Sequence, residues 1–107
     1  MIKARLKKTK YGLSGFVITG HADAAAYGQD IVCAAVSALT ITTANSLSQI
    51  AGLHPQIDQN ETQGGYLAVQ LSAVEQKNQR GQILLQNLQL GLAEIANEYQ
   101  DYVTLQS

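Results

Sequence analysis

The sequence contains little cysteine, proline and charge. Its 107 residues include one cysteine, one proline and no tryptophan, and 14% of them are charged. A single cysteine, Cys33, excludes an internal disulfide and a cysteine-rich zinc site. Low charge combined with an apolar content of 46% excludes an intrinsically disordered chain. A chain of this length predicts one domain, residues 1–107, around a single core.

Long uninterrupted apolar runs are also missing. Ser, Thr, Gln and Gly interrupt the apolar stretches, so we expect no membrane-spanning segment and no membrane partner. The first ten residues do not have the apolar core of a secretory signal. Together these observations predict a cytoplasmic protein.

Positive charge is concentrated in one short segment. Five of the seven basic residues lie in the first ten positions, whereas from Tyr11 onward two basic residues stand against eight acidic ones. The net charge of −1 disfavours a general nucleic-acid binder, although the basic segment leaves room for a local phosphate contact. No aromatic residues interleave with Lys3, Arg5 and Lys7, so we interpret them as a solvated strand face and expect no nucleic-acid partner.

The apolar pattern changes period along the chain. Period-2 alternation, in which Ile2, Ala4 and Leu6 share one face, predicts a half-buried strand at the start. The spacing further predicts strands at 14–19, 54–59, 66–71 and 102–105, and helices at 31–51 and from 75 to about 99. The order β-β-α-β-β-α-β predicts an α+β fold, a two-layer α/β sandwich with a mixed sheet and two helices.

Cys33 falls near the predicted start of the first helix. If Asp30 is the N-cap, Cys33 occupies the third helical position, where free N–H groups and the helix dipole stabilise a thiolate. The same N–H groups would also hold an oxyanion. A small buried apolar side chain is the alternative interpretation.

A cysteine nucleophile requires a base, and the chain has two histidines. His21 follows the second predicted strand and precedes Cys33 by twelve residues, so a chain returning to the helix start can bring the two together. A histidine without a role is the alternative there. His54 precedes Pro55 at a predicted edge strand, and we interpret it as a surface residue.

Several further residues are candidates for supporting roles. Asp23 or Asp30 would orient His21, although a solvated loop residue and a helix cap are the respective alternatives. Ser37, one turn after Cys33, either lines the site or bonds to the Cys33 carbonyl. The spacing of these residues matches no metal-ligand pattern, and no second cysteine supports redox chemistry. We therefore expect no metal and no cofactor.

Two motifs in this region are long and specific. They are Gly20-His21-Ala22-Asp23 and Tyr27-Gly28-Gln29-Asp30-Ile31-Val32-Cys33-Ala34-Ala35-Val36-Ser37. At this separation the pair resembles the signature of Prp, the bacterial ribosomal-processing cysteine protease family. The similarity extends to the length and the element order of the chain.

The resemblance implies a cysteine endopeptidase that removes the short N-terminal extension of a large-subunit ribosomal protein. It implies Cys33 as nucleophile and His21 as general base, supported by Gly20, Asp23, Asp30 and Ser37. It also implies a homodimer and a substrate-covering loop formed by Ala22, Ala24, Ala25, Ala26, Tyr27, Gly28 and Gln29. The alternative function is a non-catalytic, ribosome-associated module that binds peptide in a cleft and RNA on its basic strand.

Overall fold

The computed structural model describes residues 1–20, 27–60 and 65–106, with the backbone alone described for 27–30. Its elements follow the predicted order β-β-α-β-β-α-β, which confirms the α+β fold. They are β1 (Ile2–Thr9), β2 (Gly12–Thr19), α1 (Tyr27–Gln49), β3 (Gln56–Gln59), β4 (Tyr66–Gln70), a 3-10 turn (Glu75–Lys77), α2 (Gln79–Glu98) and β5 (Val103–Gln106).

The five strands form one mixed sheet in the order β3-β4-β2-β1-β5. Neighbouring strands are antiparallel except β1 and β5, which run parallel. Along β1 the side chains of Ile2, Ala4 and Leu6 are buried, whereas Lys3 and Arg5 are exposed. The predicted alternation is therefore confirmed, and one face of the sheet is covered while the basic face stays open.

Both helices contribute to a single core on the covered face of the sheet. The fully buried side chains include Val32 and Leu47 from α1, Leu88 and Leu92 from α2, and Phe16 from β2. The heptad spacing of leucines in α2 fits a helix with one buried stripe. The two-layer arrangement follows because a helix with one apolar stripe and a sheet with one apolar face cover each other.

The first helix begins four residues earlier than predicted. Its first residue is Tyr27, so Asp30 lies inside the helix and Cys33 is the seventh residue. The predicted N-cap role of Asp30 is therefore wrong. The start of α1 was predicted wrongly because a carboxylate is favourable both as an N-cap and within the first turn, where it interacts with the helix dipole. At the other end, Gly52 has a φ of 71° and stops the helix as predicted.

The helix α1 contains a long apolar segment, although Ser and Thr residues interrupt it. Its residues Ile31–Gln49 are long and apolar enough to span a membrane by length and composition, with a mean hydropathy of 1.5. Length and composition alone do not make it a membrane span, so the expectation of no membrane-spanning segment stays a prediction. The core helix of a globular domain passes the same test, and here Val32, Val36 and Leu47 pack against the sheet.

The second helix is joined to the first hairpin by the side chain of Gln82. The Gln82 carboxamide accepts a hydrogen bond from the Leu13 N–H (2.9 Å) and donates one to the Leu13 carbonyl (2.7 Å). Leu13 pairs with Lys8, beside a bulge between Lys7 and Lys8. A bulge interrupts the regular strand pairing, so a side chain can take over the backbone hydrogen bonds.

Candidate active site

A cavity of about 270 Å³ lies between α1 and one end of the sheet. At this end β2 finishes and β1 and β4 begin, as their antiparallel pairing requires. The lining residues are Ile2, Ile18, Gly20, Cys33, Val36, Ser37, Thr40, Ile41, Gln59, Asn60, Gly65, Tyr66 and Leu67. The structure therefore brings three predicted site residues, Gly20, Cys33 and Ser37, to the same cavity.

Cys33 is a free, half-buried cysteine at the boundary between the core and this cavity. Its position as the seventh residue of α1 lies beyond the four leading N–H groups of the helix. The effect of the helix dipole also falls off within the first turn. Activation of the Cys33 thiol by the helix start is therefore a wrong prediction, whereas an oxyanion hole formed by the helix-start N–H groups stays a prediction. A thiolate at Cys33 requires a separate base.

Gly20 follows the last residue of β2 and lines the cavity. Its φ of 81° is in the left-handed region, and its N–H donates to the Gly65 carbonyl at 2.8 Å. A Cβ atom at this position would lie 2.2 Å from the Met1 carbonyl oxygen. Both the conformation and the space therefore require glycine here.

The remaining predicted site residues fall in the segment that follows Gly20. His21, Ala22, Asp23, Ala24, Ala25 and Ala26 lie outside the described residues, as do the side chains of Tyr27, Gln29 and Asp30. The backbone of α1 places Asp30 three residues before Cys33, a spacing that puts the two on neighbouring positions of one helix side. The roles of His21, Asp23 and Asp30 remain predictions.

Ser37 lies one helical turn beyond Cys33 and is exposed at the cavity. Across the described residues, its hydroxyl makes no hydrogen bond, so the alternative of a bond to the Cys33 carbonyl is not observed. Thr40, by contrast, is buried and donates to the Val36 carbonyl at 2.8 Å. The Ser37 hydroxyl therefore has its proton available for a ligand.

The wall of the cavity that faces α1 contains residues that were not predicted as site residues. Tyr66, Gln59 and Asn60 reach it because β4 pairs with β2, with Tyr66 opposite Thr19, and β3 pairs with β4. Nothing in the sequence specifies which strands become neighbours. Ile41, in contrast, follows Cys33 by eight residues, a helical spacing that would have identified it.

His54 lies far from the cavity, beside the start of the 3-10 turn. It is exposed, and its backbone N–H donates to the Glu75 carboxylate at 2.7 Å. The interpretation of His54 as a surface residue is therefore confirmed. Within residues 1–20, 27–60 and 65–106, no group of three or more His, Cys, Asp and Glu side chains is placed to hold a metal ion.

Comparisons with known proteins agree with this architecture. The family model of cysteine protease Prp matches residues 1–104. The ribosomal processing cysteine protease Prp of Bacillus subtilis strain 168 is 34% identical over 104 residues, which cover 94% of this chain and 92% of that protein.

Solved structures are similar over nearly the whole chain. The crystal structure of SMU.848 from Streptococcus mutans has a TM-score of 0.91 and 34% identity, covering 99% of this chain and 92% of that one. The structure of Prp from S. aureus with a substrate peptide has a TM-score of 0.87 and 28% identity, covering 98% and 97%. The same protein with a covalently linked product peptide gives the same TM-score and identity.

Proposed function

Because this chain belongs to the Prp family of cysteine proteases, we propose that it removes the N-terminal extension of a bacterial large-subunit ribosomal protein. The activity is that of a cysteine endopeptidase. The observation that carries the proposal is the free thiol of Cys33 at the cavity between α1 and the sheet. The relatives named ribosomal processing proteases, and the peptide complexes of S. aureus Prp, support the choice of substrate.

Catalysis starts from the thiolate of Cys33. Its Sγ forms a bond to the scissile carbonyl carbon, the C–N bond breaks, and protonated His21 gives its proton to the leaving amine. Water then attacks the thioester, His21 accepts the water proton, and the acid product leaves with the thiolate restored. Gly20 is bonded to His21 and lines the same cavity as Cys33, which supports this pairing.

The other predicted residues support the reaction in this scheme, either by holding the peptide or by orienting His21. Ser37 donates its hydroxyl proton to the bound peptide, while Asp23 and Asp30 orient His21. Residues 22–26 cover the substrate, whereas Tyr27, Gly28 and Gln29, which were predicted to belong to the same loop, form the first turn of α1. The cavity wall contains Ile2, Ile18, Val36 and Ile41 and therefore suits an apolar side chain next to the cleaved bond. A non-catalytic module does not account for membership of a cysteine protease family.

The test is cleavage of the organism's own extended ribosomal protein, followed by mass analysis of the products. We expect one cut that releases the extension. We expect His21→Ala to slow cleavage by about 10²-fold or more, since a positioned acid–base group contributes on this order. It should also slow alkylation of Cys33 by iodoacetamide at neutral pH, because the thiolate loses its partner.

His54→Ala is the matched control, because His54 is exposed and lies away from the cavity. It should cleave and alkylate at the wild-type rate. Equal loss in the two histidine variants, or full cleavage by His21→Ala, contradicts the proposed base. Failure of the wild-type protein to cut any extended ribosomal protein contradicts the proposed substrate.

We further propose a cytoplasmic homodimer. The substrate class supports the location, because ribosomal proteins are made and assembled in the cytoplasm. Two apolar side chains one heptad apart on the outer side of α2 support the dimer, since Ile83 is 56% exposed and Leu90 is 60% exposed.

Light scattering at micromolar concentration should report twice the mass of one chain. Leu90→Glu should halve it with little change in thermal stability, because the side chain is exposed in the single chain. Ile50→Glu, at a residue 61% exposed just beyond α1, is the control and should keep the dimer mass. A wild-type protein with the mass of one chain would contradict the dimer.

A further inference from the structure

The tertiary structure gathers cations around the tip of the β1–β2 hairpin. The Tyr11 ring at this tip is in cation–π contact with Lys10 and Lys77, whose Nζ atoms are 5.2 and 4.8 Å from the ring centroid. Lys77 belongs to the 3-10 turn, far along the chain from Tyr11. We call this surface the basic end; its residues are Lys8, Lys10, Tyr11, Lys77 and Arg80.

Hydrogen bonds fix the two parts of the basic end to each other. The Thr9 hydroxyl donates to the Gln76 carboxamide at 2.7 Å, and Gln76 directly precedes Lys77 in the chain. Gln82 holds the backbone of Leu13, and Arg80 lies in the same helical turn as Gln82. The backbone segments that carry the cations are therefore held to each other, so a ligand has only the exposed side chains to order when it binds.

The charges of the basic end are not neutralised within the part of the chain that the structure describes. Its four cations are exposed, and none forms an ion pair with a described carboxylate. The acid closest to Lys77 in the sequence is Glu75, whose carboxylate already accepts the His54 N–H at 2.7 Å. Exposed, unpaired cations gathered on one surface attract an anion with several charges.

The basic end and the cavity lie at opposite ends of β2. The hairpin tip precedes Gly12, where β2 begins, whereas the cavity is lined by Gly20, which follows the last residue of β2. Because a strand rises by about 3.3 Å per residue, these two ends of β2 are about 24 Å apart. A partner on the basic end would leave the cavity open to a peptide.

We propose that the basic end binds an unpaired RNA strand. Lys10 and Lys77 exchange their contact with the Tyr11 ring for phosphates, Lys8 and Arg80 contact neighbouring phosphates, and a base stacks on the exposed ring. An exposed aromatic ring beside cations is typical of proteins that bind a single strand, because a base can stack on the ring. An acidic peptide or a lipid surface would be bound by the cations and has no specific use for the ring. The expectation of no nucleic-acid partner concerned Lys3, Arg5 and Lys7, whereas the aromatic ring of Tyr11 lies beside two other cations, Lys10 and Lys77.

The choice of RNA over DNA rests on the proposed function, because the proposed substrate assembles with ribosomal RNA. The phosphate and stacking contacts themselves rest on the geometry alone. Cleavage of a free peptide therefore tests the proposed function separately, and none of the basic-end residues takes part in it.

The experiment titrates a labelled oligouridine RNA with the full chain at several salt concentrations. With four phosphate contacts, log Kobs should fall against log salt with a slope of about −2.8. The triple variant Lys8→Gln, Lys10→Gln, Lys77→Gln should make this slope shallower by about 2, and the matched triple Lys→Arg variant should keep it. Tyr11→Ala should weaken binding about tenfold, and Tyr11→Phe should restore it.

Free-peptide cleavage and thermal unfolding of all four variants should match wild type, which shows that the fold is intact. A wild type that does not bind RNA at low salt overturns the proposal, as does binding that the Lys→Gln triple leaves unchanged. Tighter binding of DNA of the same sequence overturns the choice of RNA. Tighter binding of polyglutamate or anionic vesicles than of RNA assigns the surface to those partners and overturns it as well.

Discussion

We expect the Cys33→Ser variant to lose cleavage of the extended ribosomal protein by on the order of 10⁴-fold or more. Serine is close in size to cysteine, so the half-buried position beside the core should tolerate it. The hydroxyl, however, is a far weaker nucleophile than a thiolate at neutral pH, because a serine hydroxyl stays protonated there. The measurement is a time course of product formation by mass analysis under single-turnover conditions.

Two further readouts separate lost chemistry from lost structure in this variant. Thermal unfolding should be close to wild type, and a peptide spanning the cleavage site should still bind. Iodoacetamide should no longer add mass, because Cys33 is the sole cysteine. If Cys33→Ser kept most of the cleavage rate, Cys33 would not be the nucleophile.

The largest expected effect on stability is that of Gly15→Ala. Gly15 lies in β2 between β1 and β4, where it pairs with Lys7 on one side and Gln70 on the other. A Cβ atom there would lie 2.0 Å from the Val69 carbonyl oxygen and 2.9 Å from its carbon. Relief requires β4 to move away from β2. We expect a loss of about 3 kcal/mol or more in the free energy of unfolding, measured by urea titration.

Gly52→Ala provides the matched control for this prediction. Gly52 has a φ of 71°, but no atom lies within 4 Å of an added Cβ. Its cost is therefore the conformational one alone, about 1 kcal/mol. If the two variants lost equal stability, the close approach of β4 to Gly15 would not be the cause.

Sequence patterns predicted those parts of the fold in which burial follows a local period. The alternation of β1 and the leucine stripe of α2 were predictable because each element has one covered side. The start of α1 was not, because Asp30 suits an N-cap and a first turn equally well. The contact of Gln82 with the hairpin was not predictable either, because its partner is a backbone group beside a bulge that no sequence pattern indicates.

The same distinction applies to the candidate site. Cys33 and Ser37 share a helix, so their spacing alone placed them on one side, and the structure puts both at the cavity. Tyr66 and Asn60 depend on β4 adding to the edge of β2, a pairing that no local pattern encodes. Lys77 likewise reaches Tyr11 only through the contact of the 3-10 turn with the hairpin tip.

The parallel pairing of β5 with β1 has a consequence for how the protein is made. Ile2 pairs with Val103 and Arg5 with Gln106, so β1 is made before all the other strands but gains its parallel neighbour β5 after them. Until residues 103–106 have emerged from the exit tunnel, one edge of β1 has no partner strand. Ile2 also lines the cavity. Residues 103–106 therefore have to be made before this wall of the cavity is secured.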